Sequence, residues 1–137
     1  MNVVLDTNVL VSGLLTPHGS SGRVMDLVLS GDLTPCFDDR IIAEYREVLA
    51  RTKFGFDAVL VEAILDYVEA EGLHVVAAPL GVSLPDPDDI AFLEVAAAAG
   101  AEWLITGNAR HFPARARHGI RVANPGEFVK QWPTKPG

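Results

Sequence analysis

The feature that most constrains this chain is a short apolar run, Val3-Val4-Leu5, that stops abruptly at Asp6. Consecutive residues that all avoid water read as a strand covered on both faces, the habit of parallel sheets. Similar short runs follow at Thr34–Phe37, Leu73–Ala77, Trp103–Thr106 and around Ile120 and Val122. Between them lie segments of helical spacing. Val9–Leu15 reads as a short helix, Thr16–Gly22 as a flexible loop, and Arg23–Ser30 as a helix stopped by Gly31. Asp38 or Asp39 caps a helix to about Ala50, with Ile41, Ile42, Tyr45, Val48 and Leu49 as its stripe. Asp57 caps another to about Glu71, with Leu60, Ala63, Ile64, Tyr67 and Val68 inward. Pro79–Pro87 reads as a loop, Asp86-Pro87 opens a helix that Gly100 ends, and Pro125–Trp132 closes the chain as a helix. This alternation predicts an α/β fold, a three-layer α/β/α sandwich around a central parallel sheet.

Composition narrows the classes. The 137 residues are 49% hydrophobic and 21% charged, enough apolar material for a packed core and incompatible with disorder. No repeat, linker or composition break interrupts them, so a single domain over 1–132 is expected, with 133–137 as a frayed tail. Cys36 is the sole cysteine, which excludes a disulfide scaffold. No apolar run approaches the ~18 residues of a membrane span. Asp6 in a strand-like N-terminus argues against a signal peptide, and a cytoplasmic protein is expected. Net charge is 11 − 18 = −7, which argues against broad, non-specific wrapping of nucleic acid. The cations are unevenly placed: positions 54 to 109 hold no Lys or Arg, then Arg110, Arg115, Arg117 and Arg121 follow closely, with His111 and His118 among them.

In open parallel sheets ligands bind beyond the carboxyl ends of the strands. That rule selects Asp6-Thr7-Asn8 after the first strand and Thr106-Gly107-Asn108 after the fourth. Asp6 suits either a helix cap or a metal ligand at a strand tip. Glu44 lies about 100° from the centre of its helix's apolar stripe and about 40° from Val48, at the stripe's edge. It either pairs with Arg40 or Arg51 or leans into a cleft, whereas Glu47 is about 160° off centre and solvated. Asp89 falls within about 40° of Leu93, Ala96 and Gly100, on the close-packing face. A carboxylate there either folds back on the helix cap or is held by something that binds it. Asp86 and Asp88 are explained by the cap and the helix dipole.

Carboxylates from three elements suit a hard divalent cation, Mg²⁺ or Mn²⁺, which can lower the pKa of a water and stabilise charge on a phosphodiester. The histidines are too scattered for zinc; His18 sits in a loop, His74 starts a strand, and Cys36 reads as core. Gly-rich phosphate loops and a G-x-S-x-G elbow are absent, and Asn8 stands where an Asp-x-Asp phosphotransferase needs its second acid.

At this point the residues resemble a PIN-domain ribonuclease, in particular a VapC-like toxin of a toxin–antitoxin pair. The likeness runs from Val3 to about Val129: V-V-L-D-T-N-V-L-V-S at Val3–Ser12, Glu44 in E-Y-R-E-V-L, D-P-D-D-I-A-F-L-E-V-A at Asp86–Ala96, W-L-I-T-G-N at Trp103–Asn108, and N-P-G-E-F at Asn124–Phe128. The resemblance implies sheet order 3-2-1-4-5 and a Mg²⁺- or Mn²⁺-dependent endoribonuclease. It implies that Asp6, Glu44 and Asp89 hold metal and position water, with Asn108 as a further catalytic-site group and Thr7, Asn8 and Thr106 supporting. It also implies a cognate antitoxin and a homodimer. Many relatives carry Asp where this chain has Asn108, which is neutral and weakens any second metal site. Arg110, His111 and Arg115 are placed to hold RNA phosphates; a solvated loop or an antitoxin-docking patch are the other readings of that segment. A catalytically inactive PIN-like module that binds RNA or protein is the alternative function, and a metal-dependent phosphatase a third.

Overall fold

The computed structural model describes residues 1–132, so the expected tail at 133–137 lies outside the described residues. Five strands form one sheet: β1 (Asn2–Leu5), β2 (Thr34–Phe37), β3 (Leu73–His74), β4 (Trp103–Ile105) and β5 (Val122–Ala123). Their spatial order is β3-β2-β1-β4-β5 and every pairing is parallel. Val3 and Val4 point to opposite faces of β1 and both are 0% exposed, so helices cover the sheet on both sides. The helices are α1 (Thr7–Leu15), α2 (Ser20–Leu29), α3 (Asp39–Leu49), α4 (Ala58–Glu71), α5 (Ile90–Ala99) and α6 (Pro125–Gln131). The three-layer sandwich and the strand order expected from the sequence are both present.

The order places a topological switch between β1 and β4. The chain leaves β1 toward β2 on one side and returns at β4 on the other, opening a crevice at the strands' carboxyl ends. Leu5 pairs with Ile105, so Asp6 and Thr106 emerge side by side there. Helix α3 is anchored to the same point, since the buried Tyr45 hydroxyl donates to the Leu5 carbonyl at 2.6 Å. Helix α5 packs against β1, β2 and β4 through Phe92, Leu93, Val95 and Ala96, all buried. Its last turn ends where Gly100 adopts a left-handed φ of 60°.

Several boundaries differ from the sequence reading. Helix α1 begins at Thr7, and α2 begins at Ser20 inside the stretch read as loop. Gly22 permits that early start: a Cβ there would stand 1.9 Å from the Pro17 carbonyl oxygen. Strand β3 stops at His74. Val75 still donates to the Phe37 carbonyl, but β2 ends at Phe37 and leaves residues beyond without a partner strand. Ile120 belongs to a turn led by His118 and Gly119 at positive φ, so β5 starts at Val122. On α4 the inward face is Val61, Ile64, Leu65 and Val68; Leu60 and Ala63 lie outside it. Leu60 instead rims an apolar depression with Gly13, Leu14, Met25, Leu29 and Ile64.

Gly22→Ala should therefore destabilise the fold by about 1–3 kcal/mol, the usual cost of an added methyl in a filled space. Chemical denaturation checks this, and a midpoint equal to that of the unmodified chain contradicts the close approach.

Candidate metal centre

Each carboxylate at the switch point is held by a neighbour other than Lys or Arg. Asp6 stands at the N-cap position of α1, yet its side chain makes no capping bond. Its Oδ2 instead accepts a 2.7 Å bond from the Thr106 hydroxyl and a long 3.4 Å bond from the Asn8 amide. Of the two roles open to it, the capping one is not taken. The Asn8 side-chain Oδ1 in turn accepts from the Gly107 N–H at 2.9 Å, tying the two strand tips together.

Glu44 is half-buried at the edge of the α3 stripe. Neither candidate arginine pairs with it: Arg40 bridges Asp38 and Glu94, and Arg51 pairs with Glu47. Glu44 receives the Thr7 hydroxyl instead. It lines a cleft of about 300 Å³ together with Arg40, Ile41, Pro87, Asp88 and Ala91.

Asp89 is 8% exposed and does not fold back on the cap. Asp86 is the capping residue, accepting from the Asp88 N–H at 3.0 Å. Asp89 Oδ2 meets His111 Nδ1 at 3.0 Å, and His111 Nε2 lies 3.0 Å from the Asn108 amide nitrogen. The Asn108 N–H closes the circuit by donating to the Thr106 hydroxyl at 3.0 Å. His111 was grouped by sequence with the phosphate-holding arginines; its side chain sits among the acids. The signal was available in the spacing, because one 3₁₀ turn (Ala109–His111) brings residues three apart onto one face. Asp86 was credited with capping alone, yet single ligand atoms of Asp86, Asp89 and His111 all lie within 4.8 Å of one another.

The electrostatics agree with the geometry. Burial raises the Asp6 carboxyl above its usual range, against the pull of the Thr106 hydroxyl. Burial also raises Glu44, with repulsion from Asp6, Asp88 and Asp86 adding to it. Asp89 is pushed up to about 6 by burial and then by Asp6 and Asp86. Asp6 thus repels both Glu44 and Asp89. Among the described residues no Lys or Arg forms an ion pair with any of the three. The donor set is therefore oxygen-rich, anionic and mutually repelling, which fits a divalent cation.

Of the late arginines, Arg117 donates to the Phe112 carbonyl, and Arg121 bonds the Glu102 carbonyl and lies over the Trp103 ring. Arg110 and Arg115 are exposed and make no ion pair among the described residues. No helix among the described residues is long and apolar enough to cross a membrane.

Comparison with known proteins agrees with this architecture. The sequence matches the PIN domain family profile over residues 2–110. Solved structures with the same fold include VapBC2 of Rickettsia felis bound to a fragment of its promoter DNA. That match has a TM-score of 0.60 and 16% identity, and covers 90% of this chain and 98% of that one. FitAcB of Neisseria gonorrhoeae matches with a TM-score of 0.59 and 21% identity, over 90% and 98% of the two chains. FitAB bound to an IR36 DNA fragment matches with 0.58 and 20%, over 90% and 94%. No protein of curated function matches the chain in sequence.

A pH dependence follows. A carboxyl whose pKa is higher folded than unfolded binds its proton more tightly in the folded state, so stability falls as pH rises between the two values. For Asp89 that window runs from about 4 to about 6. Without divalent cations the chain should lose on the order of 2 kcal/mol of stability across it. Asp89→Asn should flatten that fall and be the more stable protein at pH 7 in EDTA. Thermal melts at pH 4 and 7 check this; parallel curves for the two proteins reject it.

Proposed function

The chain belongs to the PIN-domain family, a family of nucleases, and on that premise we propose that it is a metal-dependent endoribonuclease acting as the toxin of a toxin–antitoxin pair. The observation that supports this reading is the electrostatic coupling of Asp6 to both Glu44 and Asp89, each of the three being bonded by a hydroxyl or imidazole and none paired with Lys or Arg among the described residues. Mg²⁺ or Mn²⁺ held by these carboxylates would supply charge stabilisation at the scissile phosphate and a water of lowered pKa.

The chain's own groups prepare that chemistry. Thr106 fixes the Asp6 carboxylate, and Thr7 fixes that of Glu44, so neither rotates away when RNA enters. Asn8 locks the β1 tip to Gly107. Glu44 faces the cleft and acts as ligand or as orienter of the attacking water. Asn108 acts through His111, whose ring it steers. Arg110 and Arg115 are exposed cations, suited to RNA phosphates.

A protein partner suits the apolar depression bounded by α1, α2 and α4. Leu29 and Leu60 remain 47% and 48% exposed at its rim, and Leu15 is 55% exposed. Exposed leucines gathered round a depression suit a docking surface. An antitoxin segment is its proposed occupant. The VapBC2 neighbour, whose solved structure includes promoter DNA, supports that choice. A homodimer and a cytoplasmic location belong to the same reading.

Asp6→Asn should lower RNA cleavage at least about 100-fold with Mn²⁺ present, while leaving the circular dichroism spectrum unchanged. Undiminished cleavage in that variant, with contaminating nuclease excluded, removes the nuclease assignment; RNA binding without cleavage by the unmodified chain points to the inactive module instead. For Arg110→Ala with Arg115→Ala, RNA affinity should fall with little sequence dependence and the slope of log K against log salt should flatten by about 1 to 2. An unchanged salt slope would show that these side chains do not meet the RNA backbone.

A further inference from the structure

Glu44 is the one member of the three-carboxylate set that lines the cleft of about 300 Å³, and the rest of that lining sets charges of both signs over an apolar floor. The geometry points to this cleft as a pocket for one base of single-stranded RNA, selective for guanine, with Arg40 and Asp88 reading the base edge. This rests on the nuclease reading and adds to it what the substrate must present.

Size and floor are the first argument. The volume stands at the small end of ligand pockets, room for one flat ring system. Ile41 and Phe92, each 1% exposed, line it from opposite helices, α3 and α5. The exposed Pro87 ring stands at its edge. Single-stranded RNA is recognised in this manner, with a base splayed out, packed on side chains and hydrogen-bonded along its edges.

Charge is the second, and it selects a base over a phosphate. Glu44 and Asp88 outnumber Arg40 in the lining, and Arg40 is already met by Asp38 and Glu94 at 2.8 Å each. A phosphate would meet net negative charge there, whereas a neutral base meets polar groups it can bond. A carboxylate only accepts and a guanidinium only donates. Guanine answers both. Its N1–H and N2–H stand side by side on the Watson–Crick edge and suit the Asp88 carboxylate, while O6 and N7 suit Arg40. Adenine and cytosine bring a lone amino group to a carboxylate, and uracil brings none.

Preorganisation is the third. Arg40 donates through Nε to Asp38 and through Nη1 to Glu94, and its Nη2 stands 2.8 Å from Asp38 Oδ2. Three of the five guanidinium N–H groups are thus engaged and two remain, on a side chain still 47% exposed. Glu94 is buried and also accepts from the Leu80 N–H, so Arg40 cannot leave without stranding a buried charge. Asp88 sits in the Pro87–Asp89 turn with its N–H fixed on Asp86 Oδ1, and its carboxylate forms no ion pair among the described residues. Arg40 and Glu44 are four residues apart on α3, so the base-reading group and the metal-side carboxylate share one helix face, a turn apart.

The test gives the full chain Mn²⁺ and oligouridylates that carry one guanosine, inosine, 7-deazaguanosine, adenosine or cytidine. Cuts are mapped, kcat/KM is measured for each, and fluorescence anisotropy measures binding of the same oligonucleotides. Cuts should cluster beside the guanosine. Inosine, which lacks the N2 amino group, and 7-deazaguanosine, which lacks N7, should each lose about tenfold in kcat/KM and in affinity. Asp88→Asn should bring inosine level with guanosine. Arg40→Lys keeps a cation for Glu94 but loses the planar fork, and should bring 7-deazaguanosine level with guanosine. Circular dichroism confirms that each variant is folded. A merely structural or electrostatic role of either side chain scales all five substrates alike and leaves these ratios unmoved. Cuts and affinities that ignore the base, a preference for adenosine or cytidine, or a guanosine-to-inosine ratio unmoved by Asp88→Asn overturns the proposal. The nuclease reading fails separately. Cleavage that Asp6→Asn abolishes, with no base preference, sinks the guanine pocket alone. Binding that prefers guanosine over inosine, with no cleavage of any RNA, sinks the nuclease assignment alone.

Discussion

Parallel pairing of β1 with β4 joins chain segments a hundred residues apart, and everything at the site depends on its register. Leu5 opposite Ile105, with the Asp6 N–H donating to the Ile105 carbonyl at 2.9 Å, sets Asp6 beside Thr106. A slip of one residue would turn Thr106 to the other face and strip Asp6 of its hydroxyl donor. Packing opposes the slip: Val3, Val4, Leu104 and Ile105 are all 0% exposed, so a shift would disturb close contacts on both faces of the sheet.

That rigidity carries an electrostatic cost. Three carboxyls are held where burial and mutual repulsion oppose their ionisation. Their supports are Thr106 and Thr7 hydroxyls and the His111 imidazole rather than Lys or Arg. The nearby guanidinium of Arg40 is engaged elsewhere, bridging Asp38 at 2.8 Å and the buried Glu94 at 2.8 Å. Glu94 also accepts from the Leu80 N–H, so this ion pair fastens the loop before α5 to α3. The fold thus keeps negative charge unneutralised at one point while pairing it close by. Carboxyls perturbed by burial and by one another in this way cluster at functional sites.

Much of this was legible in residue order. The abrupt end of Val3-Val4-Leu5 at Asp6, the edge position of Glu44 and the close-packed face carrying Asp89 each mark a carboxylate of the candidate site from residue order alone. Alternation of strands and helices was enough for the layers. Other features were not legible. A one-residue difference in where the α4 stripe centres moved Leu60 from core to rim, because periodicity fixes a face only to within about one residue. The early start of α2 hinged on Gly22 lying against Pro17, a contact between backbone segments that no spacing rule reveals.

The sequence by itself determined the class of fold, the apolar faces and which acids stand at strand tips or stripe edges, since those follow from local periodicity and from where apolar runs end. Only the tertiary structure decided the partners. It denied Glu44 both of its candidate arginines, diverted Asp6 from its cap to Thr106, and moved His111 from the arginine cluster to Asp89. The physical reason is that a side chain's hydrogen-bond partner is chosen by packing between elements distant in sequence, and β-pairing across the switch point is what sets those distances.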